Sequence, residues 1–303
     1  MVYLLVGDVN MAKIIVVPND IKDINNLNSD GFILGISNLN QYFGHGLFNE
    51  LKDIIIDLKN KGKEVFVSMN KIMHNSDLKE VEDILIELDK INISGILFGD
   101  VGVINIWERL NLKVNLVWDQ THLVTNYHTC NYWLEKGVMI GNLSSELTLE
   151  EIKKIKENTD MKLMVQVFGF IPIFTSIRNL ISNYFDYLGR EKEENKYYIY
   201  DKDRNLNYRI REENGTSIYS GNILNGINEI NILADYNIDY LIVNGFNIDS
   251  DTFRFTLGKY KDVNSGKEIN VNDVYNEINA KLPFPTDRGF FYKQTIYKVR
   301  EHE

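Results

Sequence analysis

The sequence predicts an α/β protein of the (β/α)8, TIM-barrel-like class with a β-containing insertion after strand seven, and three observations predict it. Short apolar runs alternate with helix-patterned segments as far as Val167, the rhythm of βαβ units on a parallel sheet. Glu64–Met69 (EVFVSM) is an apolar run of the type buried in parallel sheets. Leu116–Glu151 holds two successive units whose polar strand ends fall on one rim. Right-handed crossovers repeated this often close readily into a barrel. A doubly wound open sheet is the alternative, but no glycine-rich phosphate loop of the dinucleotide-binding kind supports it.

Lys13–Val17 (KIIVV) reads as the first strand and Gly31–Ile36 as the second, followed by a Gly- and Asn-containing loop over Asn38–Gly46. Asn49–Lys61 reads as a helix with Leu51, Ile54, Ile55 and Leu58 on one face, ended by Gly62. Glu64–Met69 is strand three. Leu78–Ile91 is a helix with Leu78, Val81, Ile84, Leu85 and Leu88 as its core stripe, and Gly95–Phe98 is strand four. A short helix near Val103–Leu110 leads to strand five, Leu116–Trp118. Thr125 is placed as the cap of a helix carrying Tyr132 and Trp133 and stopping at Gly137. Val138–Ile140 is strand six, and Thr148-Leu149-Glu150-Glu151 is a capping box opening the next helix. Leu163–Val167 is strand seven.

The rhythm then breaks. Phe168–Gly189 is mixed, Arg190–Lys196 is charged, and Tyr197–Tyr200, Tyr208–Arg211 and Ser217–Ser220 read as short strands between polar turns. Residues 170–221 are therefore read as an insertion on the C-terminal rim. Ile223–Ala234 reads as a helix, Tyr240–Val243 as strand eight, and Thr252–Lys261 and Val271–Ala280 as two closing helices. The aromatic tail over 283–303 is expected to pack back on a single barrel domain spanning 1–303. Met1–Asn10 reads as a small extension or a misplaced start, with Met11 a plausible start.

Composition narrows the function classes. The net charge of −10 argues against broad, nonspecific binding to nucleic acid or anionic lipid, without excluding a local basic patch. The single cysteine, Cys130, can form no intramolecular disulfide and no cysteine-ligated cluster by itself. No apolar run approaches a membrane span and the N-terminus lacks a signal-peptide layout, so a cytoplasmic location is expected.

In a barrel of this class, polar groups at strand C-termini are the ligand-binding candidates. They are Asn70 and His74 after strand three, Asp100 after strand four, Asp119 and Gln120 after strand five, and Ser145 and Glu146 after strand six. Gln166 and Arg178 come from strand seven and the segment beyond it. Arg178 suits a carboxylate, which a guanidinium fork can grip in bidentate fashion. Taken singly, each of these is more simply a helix cap or a rim hydrogen bond. The spacing of His74, His122 and His128 fits no standard zinc signature, and no HExxH is present, so no metal site is assigned. Cys130, mid-helix beside Tyr132 and Trp133, reads as a buried inert thiol.

Several segments carry a resemblance. NYHTCNYWLEKGV followed by SSELTLEEI, VFVSMNKIMHN (Val65–Asn75), ILFGDVGVI (Ile96–Ile104), FGFIPIFTSIRNLISNYFDYLG (Phe168–Gly189) and DRGFFYKQTIY (Asp287–Tyr297) together resemble the peptidase U32 family, the collagenase-like proteases. The likeness is greatest to the short, Firmicute-type members, which are typically encoded in pairs. Longer members carry a His-Gly pair, a cysteine three residues after that Gly, and a second cysteine after Ser-Gly-Arg. The corresponding positions here are Phe168-Gly169, Pro172, and Asn179 after Ser176-Ile177-Arg178, and the family's later cysteine pair is missing beyond Tyr184-Phe185. The resemblance therefore implies a chain without an iron–sulfur cluster, joined in a hetero-oligomer to a second, cysteine-bearing U32 protein that has one. It implies a role in prephenate-dependent 5-hydroxylation of the tRNA wobble uridine, with prephenate as co-substrate and tRNA met through the complex. The alternatives are a collagenase-like, metal-dependent endopeptidase and a non-catalytic subunit that supports its partner.

Overall fold

The computed structural model describes residues 11–120, 122–192 and 196–293. The extension Met1–Asn10 and the end of the tail lie outside them. Eight parallel strands form a closed barrel: β1 (Lys13–Val17), β2 (Gly31–Gly35), β3 (Glu64–Met69), β4 (Gly95–Phe98), β5 (Leu116–Trp118), β6 (Ile140–Asn142), β7 (Lys162–Gly169) and β13 (Tyr240–Asn244). Closure comes from β13, which pairs with β1 from Lys13↔Tyr240 to Val17↔Asn244 and with β7 from Tyr240↔Met164 to Val243↔Phe168. Lys13–Val17 and Tyr240–Val243 are therefore neighbours, which excludes the open sheet.

Alternation along each strand divides the core in two. Ile15, Val17, Ile33, Phe66, Leu97, Val117, Ile140, Met164, Tyr240 and Ile242 fill the barrel interior. The intervening residues, such as Val65 and Val67 of β3, pack outward against the helical layer. That layer comprises α1 (Phe48–Asn60), α2 (Leu78–Ile91), α3 (Val101–Arg109), α4 (Tyr127–Glu135), α5 (Leu149–Lys156), α7 (Ile230–Asp235), α8 (Ser250–Asn264) and α9 (Val271–Lys281). The box at Thr148 forms as read: its hydroxyl accepts from the Glu151 backbone while the Glu151 carboxylate accepts from the Thr148 N–H at 2.8 Å. Among the described residues, no helix is long and apolar enough to cross a membrane.

The insertion leaves the barrel at Gly169, whose φ of 110° belongs to the region that glycine favours. A Cβ there would also stand 2.4 Å from the Asn244 carbonyl oxygen. The insertion is a four-stranded antiparallel sheet in the order β8 (Pro172–Ser176), β11 (Gly215–Tyr219), β10 (Leu206–Glu213), β9 (Tyr197–Asp201). Helix α6 (Leu180–Leu188) covers one face, where the Glu212 carboxylate accepts from the Ile181 and Ser182 N–H groups at 2.8 and 3.0 Å. The other face is tied to the loop between β2 and α1: Ser217 Oγ donates to the Gln41 carbonyl at 2.9 Å, Tyr219 to that of Tyr42, and Asn214 to that of Ser37.

Three local readings are corrected. Ile223–Ala234 is not one helix: β12 (Ile223–Asn225) runs antiparallel to the end of β7, and a 3-10 turn over Ile227–Glu229 precedes the short α7. Strand six starts two residues later than Val138. The cap of α4 is Asn126, whose side chain accepts from the Thr129 N–H, rather than Thr125. The segment after Phe168 is mixed as read, holding β8 and then α6. In the tail, β14 (Thr286–Asp287) pairs with β12, Phe291 is buried, and its carbonyl accepts from the Leu149 N–H at 3.1 Å.

Candidate functional site

The C-terminal ends of the barrel strands surround a cavity of about 640 Å³, part of it open to solvent. Val17, Ile33, Leu97 and Ile242 form its apolar floor, and Phe43, Tyr219 and Phe246 its aromatic wall. Tyr219 is buried and stacks on Phe246 with ring centres 5.0 Å apart, so the insertion closes one side of the mouth.

The polar centre of the cavity is Asp119, immediately after β5. Its carboxylate accepts one hydrogen bond from Asn70 Nδ2, reaching across β4, and one from Asn142 Nδ2 on β6, each at 2.8 Å. Both bonds favour the ionised form. Burial opposes them and prevails, so the Asp119 carboxyl is held above the usual aspartate range. Its hydrogen-bond partners are neutral amides. A buried carboxyl held up by desolvation at a barrel mouth is suited to giving or taking a proton. Asn70 Oδ1 accepts in turn from the Gln41 N–H at 3.1 Å, which ties the amide to the β2–α1 loop.

Of the nine residues singled out in the sequence, Asn70, Asp119, Ser145 and Gln166 line this cavity. Gln166 donates to the Phe170 carbonyl at 3.1 Å. The other five lie elsewhere. Asp100 caps α3, accepting from Gly102 N–H at 2.7 Å and from Met73 N–H at 3.1 Å. Gln120 donates to the Gly99 carbonyl at 3.2 Å. His74 is exposed on the β3–α2 loop. Glu146 is exposed and faces His122 Nδ1 at 3.2 Å. Arg178 is exposed at the corner between β8 and α6, where its backbone N–H reaches Ser176 Oγ at 3.2 Å, and it is not part of the mouth lining.

Sequence reasoning missed several groups at the mouth. Asn142 and Asn244 are the last residues of their strands, as Asn70 is the first after its own, so recurrence of asparagine at strand ends was the available signal. Arg211 on β10 ion-pairs with Glu213 and stands over the Phe246 ring at 5.1 Å. His45 is half-buried between two strand ends. Its Nδ1 accepts from the Gly35 N–H at 2.9 Å, leaving Nε2–H to donate to the Pro18 carbonyl at 3.0 Å. Burial, with Arg211 nearby, lowers the His45 pKa to about 4, against the opposing bond to Pro18.

A cysteine-ligated iron–sulfur cluster does not fit the residues of this chain taken alone. Cys130 is its one thiol, buried in the layer between barrel and helices, and burial pushes its pKa up to about 11. Such clusters are usually held by four thiolates.

Comparison with known proteins agrees with the fold. Tested against Peptidase family U32, residues 34–300 match. The chain is 33% identical to tRNA hydroxylation protein P2 of Bacillus subtilis (strain 168) over 253 residues, which cover 78% of this chain and 82% of that protein. It is 29% identical to tRNA hydroxylation protein P1 of the same organism over 128 residues, covering 42% of this chain and 30% of P1. The solved structure of the U32 peptidase Mk0906 shares the fold, with a TM-score of 0.50 at 13% identity over 78% of this chain and 93% of that one. A match over most of the chain, joined to a closed barrel of the same fold, places the protein by descent: it belongs to peptidase family U32.

Proposed function

We propose that this chain is a subunit of a tRNA-hydroxylating system and that its barrel mouth is the working site. The observation carrying this is the alignment with protein P2, which runs through 82% of that protein's length. The alignment with P1 covers 30% of P1, so the short P2-type architecture is the better template. Within this reading the target is the 5-position of the wobble uridine and the co-substrate is prephenate. A second U32 protein bears the cluster and pairs with this chain in the cytoplasm. Asp119, with Asn70 and Asn142, is the proton-handling group on this subunit. A carboxylate gripped by Arg178 would meet it on the outer corner of the insertion rather than inside the mouth.

The test is mass spectrometry of tRNA nucleosides from a strain lacking this gene and from the same strain complemented with it. Loss of hydroxylated uridine on deletion and its return on complementation are expected. Unchanged hydroxyuridine in the deletion strain refutes the proposal.

A further inference from the structure

The insertion sheet has two unlike faces. Its apolar residues Phe174, Ile210 and Ile218 share the face that carries α6, as their pairing register requires. The opposite face turns toward the barrel and is not apolar. There Arg211 pairs in register with Ser217, and Arg209 with Tyr198, while Tyr200 follows two residues along the same strand. Arg211 stands over Phe246 at the mouth, so a line of guanidinium and phenol groups leads from the sheet edge into the cavity that holds Asp119.

Arg209 is the irregular member. Arg211 has Glu213 as its acid, whereas Arg209 forms no ion pair among the described residues. Among the described residues its Nη1 meets only the Tyr198 hydroxyl, at 3.4 Å, and its guanidinium carbon lies 5.9 Å from the Tyr198 ring centre. Its Nε is buried without a hydrogen-bond partner. Burial, and to a lesser degree Arg211 nearby, lowers the pKa of Arg209. A half-buried guanidinium beside a second one, with a donor unfilled, is built to receive an anion. The exposed Tyr198 and Tyr200 on the neighbouring edge strand β9 supply the π-faces on which unpaired bases stack.

We propose that this face is a phosphodiester track for single-stranded RNA, with Arg209 holding a backbone phosphate and Tyr198 and Tyr200 stacking bases. A base carried along this track is delivered toward Asp119. The inference rests on the tRNA reading above, and it adds where and in what state the RNA is held. The favoured substrate is an unpaired loop, because stacking needs bases free of a duplex.

The test measures the affinity of the full purified chain for a labelled, uridine-containing single strand of about ten nucleotides, a length within the footprint of such sites. Arg209→Gln is expected to weaken binding about tenfold and to flatten the dependence of log Kd on log salt by about 0.7, the loss of one phosphate contact on a single strand. Arg209→Lys should keep the slope and recover part of the affinity. Tyr200→Ala, at an edge side chain that is 53% exposed and safe for the fold, should weaken binding about fivefold with the slope unchanged. A duplex of the same sequence should bind distinctly more weakly. Unchanged affinity in both Arg209→Gln and Tyr200→Ala overturns the proposal. So does a defect confined to inorganic phosphate, which marks a small-anion site, or one confined to assembly with the second U32 protein, which marks a protein interface. The assay uses purified components, so its failure leaves the deletion-strain result intact, and the converse also holds.

Discussion

His45 makes the stability of the barrel mouth depend on pH. As a neutral ring it bridges the ends of β1 and β2, through Pro18 and Gly35. Protonation would put a hydrogen on Nδ1, against the Gly35 N–H that now donates to it. The pKa falls from 6.5 to about 4 on folding. In the window between these values the unfolded chain binds the proton and the folded chain does not, so this contribution to stability rises with pH. It is complete above the unfolded pKa and is lost as pH falls from 6.5 toward about 4. Linkage puts the loss between about pH 7.5 and about pH 4.5 at roughly 2.5 kcal/mol. Asp119 and Glu229 have raised pKa values, so their contributions run the opposite way, and the variant comparison is what isolates His45. Urea unfolding of the wild type and His45→Gln at both pH values is the assay. The wild type should lose about 2.5 kcal/mol more than the variant on acidification. Parallel profiles for the two proteins would refute the reasoning.

Two further outcomes are expected. Asp119→Asn should fold and melt at or above the wild-type temperature at neutral pH, because it removes a buried charge while rotation of the Asn142 amide, whose Oδ1 has no partner, restores the second hydrogen bond. The raised pKa of Asp119 has the same sense, since stability from its protonated form is lost as pH rises above the unfolded value of 3.8. This variant should nonetheless fail to restore hydroxyuridine in the deletion strain, and full restoration would remove the proton-handling role. Arg288→Ala should destabilise the fold by about 2 kcal/mol in urea unfolding, because it strands the buried Glu229 carboxylate without its cation, leaving the Tyr292 hydroxyl at 3.1 Å as its side-chain partner among the described residues. That is below the cost for a fully buried pair because the Arg288 side chain is 42% exposed, and adding Glu229→Gln should recover part of it.

The barrel was legible because its strands are short, apolar and separated by helices with clear stripes; the ends of β3, β4, β5 and α2 fall at the residues the pattern marks. The helix read over Ile223–Ala234 failed for an identifiable reason. Ile223, Ile227, Ile230 and Leu233 keep a helical spacing, but Leu224 and Asn225 are also buried, and they continue the sheet beside Gly169 and Phe168. Periodicity cannot separate a short buried strand from a buried helical turn. The two-residue error at strand six mattered more, since it hid Asn142 as a strand end. Arg209, Arg211 and His45 were beyond reach. Their roles depend on a sheet face folded over a mouth, and on Pro18 meeting Gly35, neither of which spacing within one segment encodes.

What makes a site of Asp119 is a residue without a side chain. Asn70 and Asp119 follow β3 and β5, so β4 runs between them. The position that follows β4 is Gly99. A Cβ there would stand 3.1 Å from the Asn70 carbonyl oxygen and 3.2 Å from that of Asp119, tighter than such contacts normally are. With glycine in place, the two flanking chains close over the end of β4 and the amide of one meets the carboxylate of the other at 2.8 Å. Asn142 reaches the same carboxylate from β6, the next strand around. The carboxylate is thus held by amide groups from the ends of nearby strands, with no cation hydrogen-bonded to it among the described residues. That is the condition under which burial outweighs hydrogen bonding and raises its pKa. A lysine or arginine in contact would have given a firmer ion pair and a carboxylate locked in its charged state. Amide partners orient the group and leave its proton exchangeable, which is what a proton-handling role at the barrel mouth requires.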